Sequence, residues 1–447
     1  MDFLSIIKSI NGVLWGYLLI FLLCGTGIYF TVTLRFVQVR KFKQSFKKTF
    51  GGIKFGSKAG QDGMSSFQAL TTSIAAQVGT GNLAGAATAI AAGGPGAIFW
   101  MWISAFFGMA TIFAEAVLGQ KFKETVDGEV TGGPAYYISK GLGSKKLAAF
   151  FSVTIIIALG FIGNMVQANS IGAAISSNSN VRIIVGVIVA ALAGMIFIGG
   201  VGRIAAFTEK VVPVMAVFYI IGSLVIILTN YVDIGPAFKM IFVGAFNPKA
   251  ATGGIIGVSV KEAMRYGIAR GLFSNEAGMG STPHAHAVAK VKHPAEQGLV
   301  AIVGVFIDTF IILTLTALVI LTTGALDGKT TGIALTQKAF ENGMGSFGHL
   351  FIAIALFFFA FSTIVAWYFF GEVNVKYLFG KKALNAYRFL VLIFIILGSA
   401  LKVELVWELA DTFNALMVIP NLLALLGLGA LVKKSLRNYE DDFEVKN

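Results

Sequence analysis

Gln77-Val78-Gly79-Thr80-Gly81-Asn82 interrupts a long apolar stretch near its centre, and the reading of this interruption decides the fold. From Gly63 to Gln120 the one charged residue is Glu115, so the surroundings ask for an unbroken helix. Glycine in a helix interior costs roughly 0.5–1 kcal/mol relative to alanine. Two glycines one residue apart in a polar setting therefore predict an unwound segment whose free backbone groups hold something. Close packing of helices through small residues explains the same glycines equally well on this stretch alone. The second half of the chain tips the balance, because Phe273-Ser274-Asn275-Glu276-Ala277-Gly278-Met279-Gly280-Ser281 repeats the device in another apolar segment. Interrupted helices at corresponding places in two halves are the sequence mark of a secondary transporter's binding site.

Composition sets the compartment. Of the 447 residues 56% are hydrophobic and 13% charged, and apolar runs longer than the ~20 residues that cross a bilayer recur throughout. This predicts an all-α polytopic membrane protein, a single membrane transport domain over 1–447 with no link long enough for a separate soluble domain. Residues 1–11 lack the pattern of a signal cleavage site, so the apolar stretch after them reads as a retained helix. Cys24 is the single cysteine, which excludes disulfides within a monomer. The net charge of +13 does not point to nucleic acid. Arg35, Arg40, Lys41, Lys43, Lys47, Lys48, Lys54 and Lys58 share one loop with no acid among them. Such clustering is an orientation signal, with a secondary attraction to anionic membrane lipid.

Uncharged runs place spans at 12–34, 66–92 (broken), 96–120, 147–176, 183–202 and 211–230, then at 255–288 (broken), 298–324, 346–370, 384–401 and 405–432. That is eleven transmembrane helices. The basic stretches 35–58, 121–146, 203–210, 290–292, 376–388 and 433–437 then fall on one side, which puts the N-terminus outside and the C-terminus in the cytoplasm of a multi-pass cell-membrane protein. With the extra helix 12–34 set apart, ten helices divide into a first repeat over 66–230 and a second over 255–432. Five being odd, the halves cross in opposite senses, the geometry of a five-plus-five inverted repeat.

In this topology the outer half of the first broken helix begins at Gly79–Asn82, where unpaired N–H groups favour an anion. The outer half of the second ends near Phe273–Ser274, whose free carbonyls favour a cation. Together the two ends make a receptor for a small zwitterion: carboxylate at Thr80 and Gly81, ammonium at Phe273 and Ser274. No charged side chain is needed, which suits the cost of burying one in a membrane. Ser362 and Thr363 give two neighbouring hydroxyls in an apolar span. They either bond back to their own helix or, packed against the carbonyls of Ala75 and Val78, serve a driving ion. Glu115, Glu276 and Asp308 lie inside spans and are functional candidates for that reason. Glu276 either acts in the site or pins the unwound backbone by accepting its N–H bonds. Gln167 and Asn169 either reach the centre or glue helices together. Arg265 and Arg270 are expected to face an aqueous vestibule. His284 and His286, two apart, are not placed to share a metal.

Gly93-Gly94-Pro95-Gly96-Ala97-Ile98-Phe99-Trp100-Met101-Trp102-Ile103-Ser104-Ala105-Phe106-Phe107-Gly108 resembles the signature of the sodium:alanine (alanine or glycine:cation) symporter family, as do Val78–Asn82 and Asn275–Ser281. The resemblance covers nearly the whole chain. It implies the amino acid–polyamine–cation superfamily architecture, the leucine-transporter-type fold, with Na+ as coupling ion and L-alanine, glycine or D-alanine as substrate. By the same resemblance the sodium ligands are the carbonyls of Ala75, Val78 and Phe359 and the hydroxyls of Ser362 and Thr363. Substrate contacts fall on Thr80, Gly81, Gln167, Phe273, Ser274 and Glu276, with Trp367, one turn after Thr363, as a wall. Asn82 and Asp308 fall near a possible second ion or proton site. A proton-coupled amino-acid carrier is the related alternative. A channel would need a continuous polar lining, and a hydrolase a nucleophile beside a base; the sequence shows neither pattern.

Overall fold

The structure, a computed structural model, describes residues 3–51, 53, 59–60, 62–247 and 259–443. Lys54, Lys58, Lys249 and the beginning of the span expected at 255–288 lie outside the described residues. Nine helices among the described residues are long and apolar enough to cross a bilayer. They are α1 (Phe3–Thr33), α5 (Ala97–Lys121), α7 (Lys145–Ile175), α8 (Ser179–Phe197), α9 (Gly200–Thr229), α13 (Pro294–Thr322), α15 (Ser346–Phe379), α16 (Lys381–Ala400) and α17 (Glu404–Gly427). Two further apolar segments run as interrupted pairs. In the first, α3 (Ser66–Gln77) is followed by a wide turn over Gly81–Gly85 and by α4 (Ala86–Gly93). In the second, α11 (Val260–Asn275) gives way to α12 (Pro283–Ala287).

Both interrupted helices open in the same way. Ser65 and Gln68 form a capping box at the start of α3, and Ser259 and Glu262 form one at the start of α11. Each box satisfies two of the amides that a helix start leaves unpaired. Shorter pieces line the surface: α2 (Phe42–Phe50), the hairpin β1 (Glu124–Val126) and β2 (Glu129–Thr131) with Glu124 opposite Thr131, α6 (Pro134–Gly141), α10 (Ile234–Phe246) and α14 (Gly332–Met344). The interrupted pairs lie at the centre of the bundle: α3 packs on α9 and α15, and α11 on α5, which also carries α13.

Among the boundaries that differ from the sequence reading, two have a clear physical cause. The stretch 203–210, expected as a loop, is the first part of α9, with Thr208 and Glu209 buried and Glu209 accepting a 3.0 Å bond from Gln68. A helix of 30 residues is about 45 Å long, more than the ~30 Å hydrocarbon core. A helix of this length can carry its basic first turns beyond the apolar layer without ceasing to be helical. The first helix starts at Phe3 rather than near 12 because the polar residues there have partners on α17: Lys8 pairs with Glu404, and Asn11 donates to Glu408 at 2.6 Å.

Candidate functional site

The first interruption is held open by side-chain acceptors, one from its own turn and one from α7. Val78 turns the chain out of α3 (φ −84°, ψ 87°). The amide of Gly79 then donates to Asn82 Oδ1 at 3.0 Å and that of Thr80 to Gln167 Oε1 at 3.3 Å. Glycine is required by contact here rather than by torsion. A Cβ on Gly79 would collide with Thr363 Oγ1, and one on Gly81 would stand 2.9 Å from Ser274 Cα. The second interruption is therefore packed directly against the first. Gln77 ties them further, donating to the carbonyl of Asn275 at 2.7 Å.

In the second interruption Glu276 has φ 59°, Gly278 φ 92° and Gly280 φ 80°, a run of left-handed backbone that leaves its amides facing outward from any helix. Glu115, on α5, accepts from the amides of Gly278 at 3.0 Å and Gly280 at 2.8 Å. Asn421, on α17, bridges the same place, donating to Glu115 at 2.7 Å and to the Gly278 carbonyl at 3.0 Å, while Tyr137 donates to Asn421 Oδ1. Pinning the unwound backbone, a role the sequence left open for Glu276, thus belongs to Glu115. The Glu276 carboxylate accepts instead from Ser281 Oγ and from Trp367 Nε1, both at 2.5 Å.

Asp308, on α13, is the second carboxylate beside the interruptions. It accepts from Asn82 Nδ2 at 2.7 Å, Ser274 Oγ at 2.9 Å and Thr309 Oγ1 at 2.7 Å. Asn82 and Asp308, paired in the sequence reading, are thus neighbours. Asp308 and Glu276 are both buried, and among the described residues neither is ion-paired with a basic side chain.

On α15, Thr363 Oγ1 lies 2.8 Å from the Ala75 carbonyl and 3.0 Å from that of Phe359, and Ser362 Oγ lies 2.9 Å from the same Phe359 carbonyl. The two hydroxyls thus meet a carbonyl of α3 as well as one of their own helix. One turn on, Trp367 stands edge-on to Phe273 at 5.9 Å between ring centres. Gln167, Phe273, Glu276 and Trp367 therefore gather around the two interruptions. Asn169 does not: it donates to the carbonyls of Gly398 and Leu401, the helix-gluing alternative.

One expectation needs correction. Arg270 does not face an open vestibule, because it makes a two-pronged ion pair with Asp411 of α17 at 2.7 and 2.8 Å and lies over the Trp407 ring, 11% exposed. Arg265 lies over the Tyr266 ring at 5.6 Å. The histidines also have separate partners: His284 meets the Ser281 carbonyl and Asn374, and His286 meets Gln297. Gln77, Tyr137 and Asn421 had no role in the sequence reading. The signal that would have found two of them was present, since Gln77 is the first residue of the interrupting stretch and Asn421 follows Pro420 inside an apolar span.

Residues 1–447 match the model of the sodium:alanine symporter family. The chain is 43% identical to the sodium/alanine symporter AgcS of Methanococcus maripaludis over 99% of its own length and 98% of that protein's. It is 41% identical, over 97% of its length and 92% of the relative's, to a Bacillus subtilis protein named "Putative sodium/proton-dependent alanine carrier protein YrbD". Among solved structures it shares a fold with MhsT in complex with L-phenylalanine: TM-score 0.56 at 14% identity, over 83% of this chain and 88% of that one.

Proposed function

The chain belongs to the sodium:alanine symporter family, and we propose that it uses an inward sodium gradient to take up small neutral amino acids, L-alanine, glycine and D-alanine, by alternating access. The substrate carboxylate meets the amides of Thr80 and Gly81, replacing the bond that Thr80 makes with Gln167. The ammonium meets the carbonyls of Phe273 and Ser274 beside the Glu276 carboxylate, with Trp367 as the wall. Sodium takes the carbonyls of Ala75, Val78 and Phe359 and the hydroxyls of Ser362 and Thr363. The observation that carries this reading is the convergence at Thr363, whose hydroxyl is 2.8 Å from one proposed carbonyl ligand and 3.0 Å from another. Oxygens gathered this closely from two helices suit a hard cation.

The architecture that goes with this mechanism is a leucine-transporter-type inverted repeat of eleven spans, five in 66–230 and five in 255–432, in the cell membrane with the N-terminus outside and the C-terminus in the cytoplasm. One interruption per repeat puts both at mid-membrane. A second reading has its own support: the buried carboxylates of Asp308 and Glu276, without basic partners among the described residues, suit a proton or a second ion at Asn82 and Asp308. Reconstitution decides between them. Alanine uptake into proteoliposomes should follow an inward sodium gradient at fixed pH; uptake that ignores sodium and follows a pH gradient would establish the proton-coupled reading instead.

A further inference from the structure

The start of α3 and the end of α12 meet just beneath the exposed Lys290. Met64, just before α3, accepts from the Lys290 amide at 2.9 Å and donates to the Val288 carbonyl at 3.0 Å, so the start of one interrupted helix and the end of the other are stitched together. Beside this stitch a cleft of about 310 Å³ opens, lined by Lys48, Ser66, Lys290, Val291, Lys292 and Glu296. Glu296 is already engaged, by Lys48 at 2.5 Å and by the Lys292 amide at 3.1 Å. The side chains of Lys290 and Lys292 are exposed and have no anionic partner among the described residues. The cleft thus carries an excess of positive charge with one acid neutralised.

The neighbouring helix sets the depth of the cleft. In α2, Phe42, Phe46 and Phe50 recur every four residues and make one face, while Lys43, Lys47 and Lys48 lie on the other. Phe42 and Phe46 pack on Phe306 of α13 at 4.9 and 5.8 Å, and Phe50 remains 46% exposed. A short helix with an aromatic edge and a lysine face suits the membrane interface, its exposed ring toward acyl chains and its ammonium groups at headgroup level. The cleft opens beside it, with Lys48 of this helix in its lining.

We propose that this cleft is a binding site for the phosphate of an anionic phospholipid, held by Lys290 and Lys292 with Lys48 at the rim, acyl chains passing along Phe46 and Phe50. Charge complementarity selects the occupant: basic pockets at the membrane interface take acidic headgroups, and each lysine near the surface contributes about 1 kcal/mol. Because its walls follow one interrupted helix and precede the other, a lipid seated there also braces the joint at Met64. The site is separate from the proposed amino-acid site, so the two stand or fall independently.

The test uses the purified full chain reconstituted in phosphatidylcholine discs with increasing phosphatidylglycerol, read by thermal unfolding and by retained lipid in native mass spectrometry. The wild type should be stabilised by phosphatidylglycerol and retain it. Lys290→Gln with Lys292→Gln should weaken the apparent lipid affinity roughly 30-fold, the fold-change that two lysines at about 1 kcal/mol each give. Lys43→Gln with Lys47→Gln, on the same surface but outside the cleft, should weaken it much less. Equal losses in the two double variants would replace the site by diffuse surface attraction and overturn the proposal. Stabilisation of the wild type by soluble glycerol phosphate as strongly as by phosphatidylglycerol would overturn it too, by making the cleft a site for a free anion.

Discussion

Glu115 holds backbone amides 163 and 165 positions away in the chain, and its role shows what single residues do and do not disclose. An acid in an apolar span advertises itself, because its burial needs compensation. The compensating partners do not, since they lie on a backbone that becomes available only when the second interruption unwinds. For the same reason the sequence left Glu276, which sits in the interruption, open to the pinning role that Glu115 fills from outside. Replacing Glu115 by leucine leaves two buried amides without acceptors, at about 1–3 kcal/mol each, while glutamine keeps one acceptor and the shape. Glu115→Leu should therefore unfold well below the wild type in thermal melts of purified protein, with Glu115→Gln between them. A leucine variant as stable as the wild type would remove Glu115 as the brace. The Thr363 contact was more legible: a Ser-Thr pair in an apolar helix and the free carbonyls beside a glycine break are both visible in sequence, and only their distance was missing.

At the scale of elements, both interruptions were readable because glycine pairs in apolar segments are costly unless used. Their placement side by side was read as well, but the direct backbone contact of Gly81 with Ser274 was not, since it depends on how α3 and α11 cross. Only glycine fits at position 81, because Ser274 Cα lies 2.9 Å from where a side chain would begin. Gly81→Leu should abolish alanine binding, by forcing the two interruptions apart and covering the amides at Thr80 and Gly81, while size-exclusion elution stays that of the folded protein. Unchanged alanine affinity in that variant would place the carboxylate elsewhere. Helix limits were the weakest part of the sequence reading: charge marked 203–210 as a loop, but Glu209 is buried against Gln68 inside α9. Charge reports where a chain meets water or a partner, and helices continue through both.

For the whole molecule, orientation rests on lysine and arginine distribution, and the dipole argument at the two interruptions rests on orientation. A cysteine at Lys43 in a cysteine-free background should resist an impermeant thiol reagent added to intact cells, while one at Gly94 should react. Labelling at Lys43 alone would invert the topology and the assignment of substrate ends with it. The central claim is that sodium near Thr363 orders the same unwound segment that binds the amino acid, so each ligand should raise the other's affinity by one common factor. Typical couplings of roughly 1–3 kcal/mol correspond to about 5- to 150-fold. Thr363→Val keeps the branched shape and deletes one oxygen, so alanine binding should weaken most at low sodium and recover in part at high sodium by mass action. The direct measurement is alanine affinity as a function of sodium concentration for the wild type and Thr363→Val at constant pH. Curves that separate at low sodium and converge at high sodium are the predicted result, and superimposable curves would contradict it.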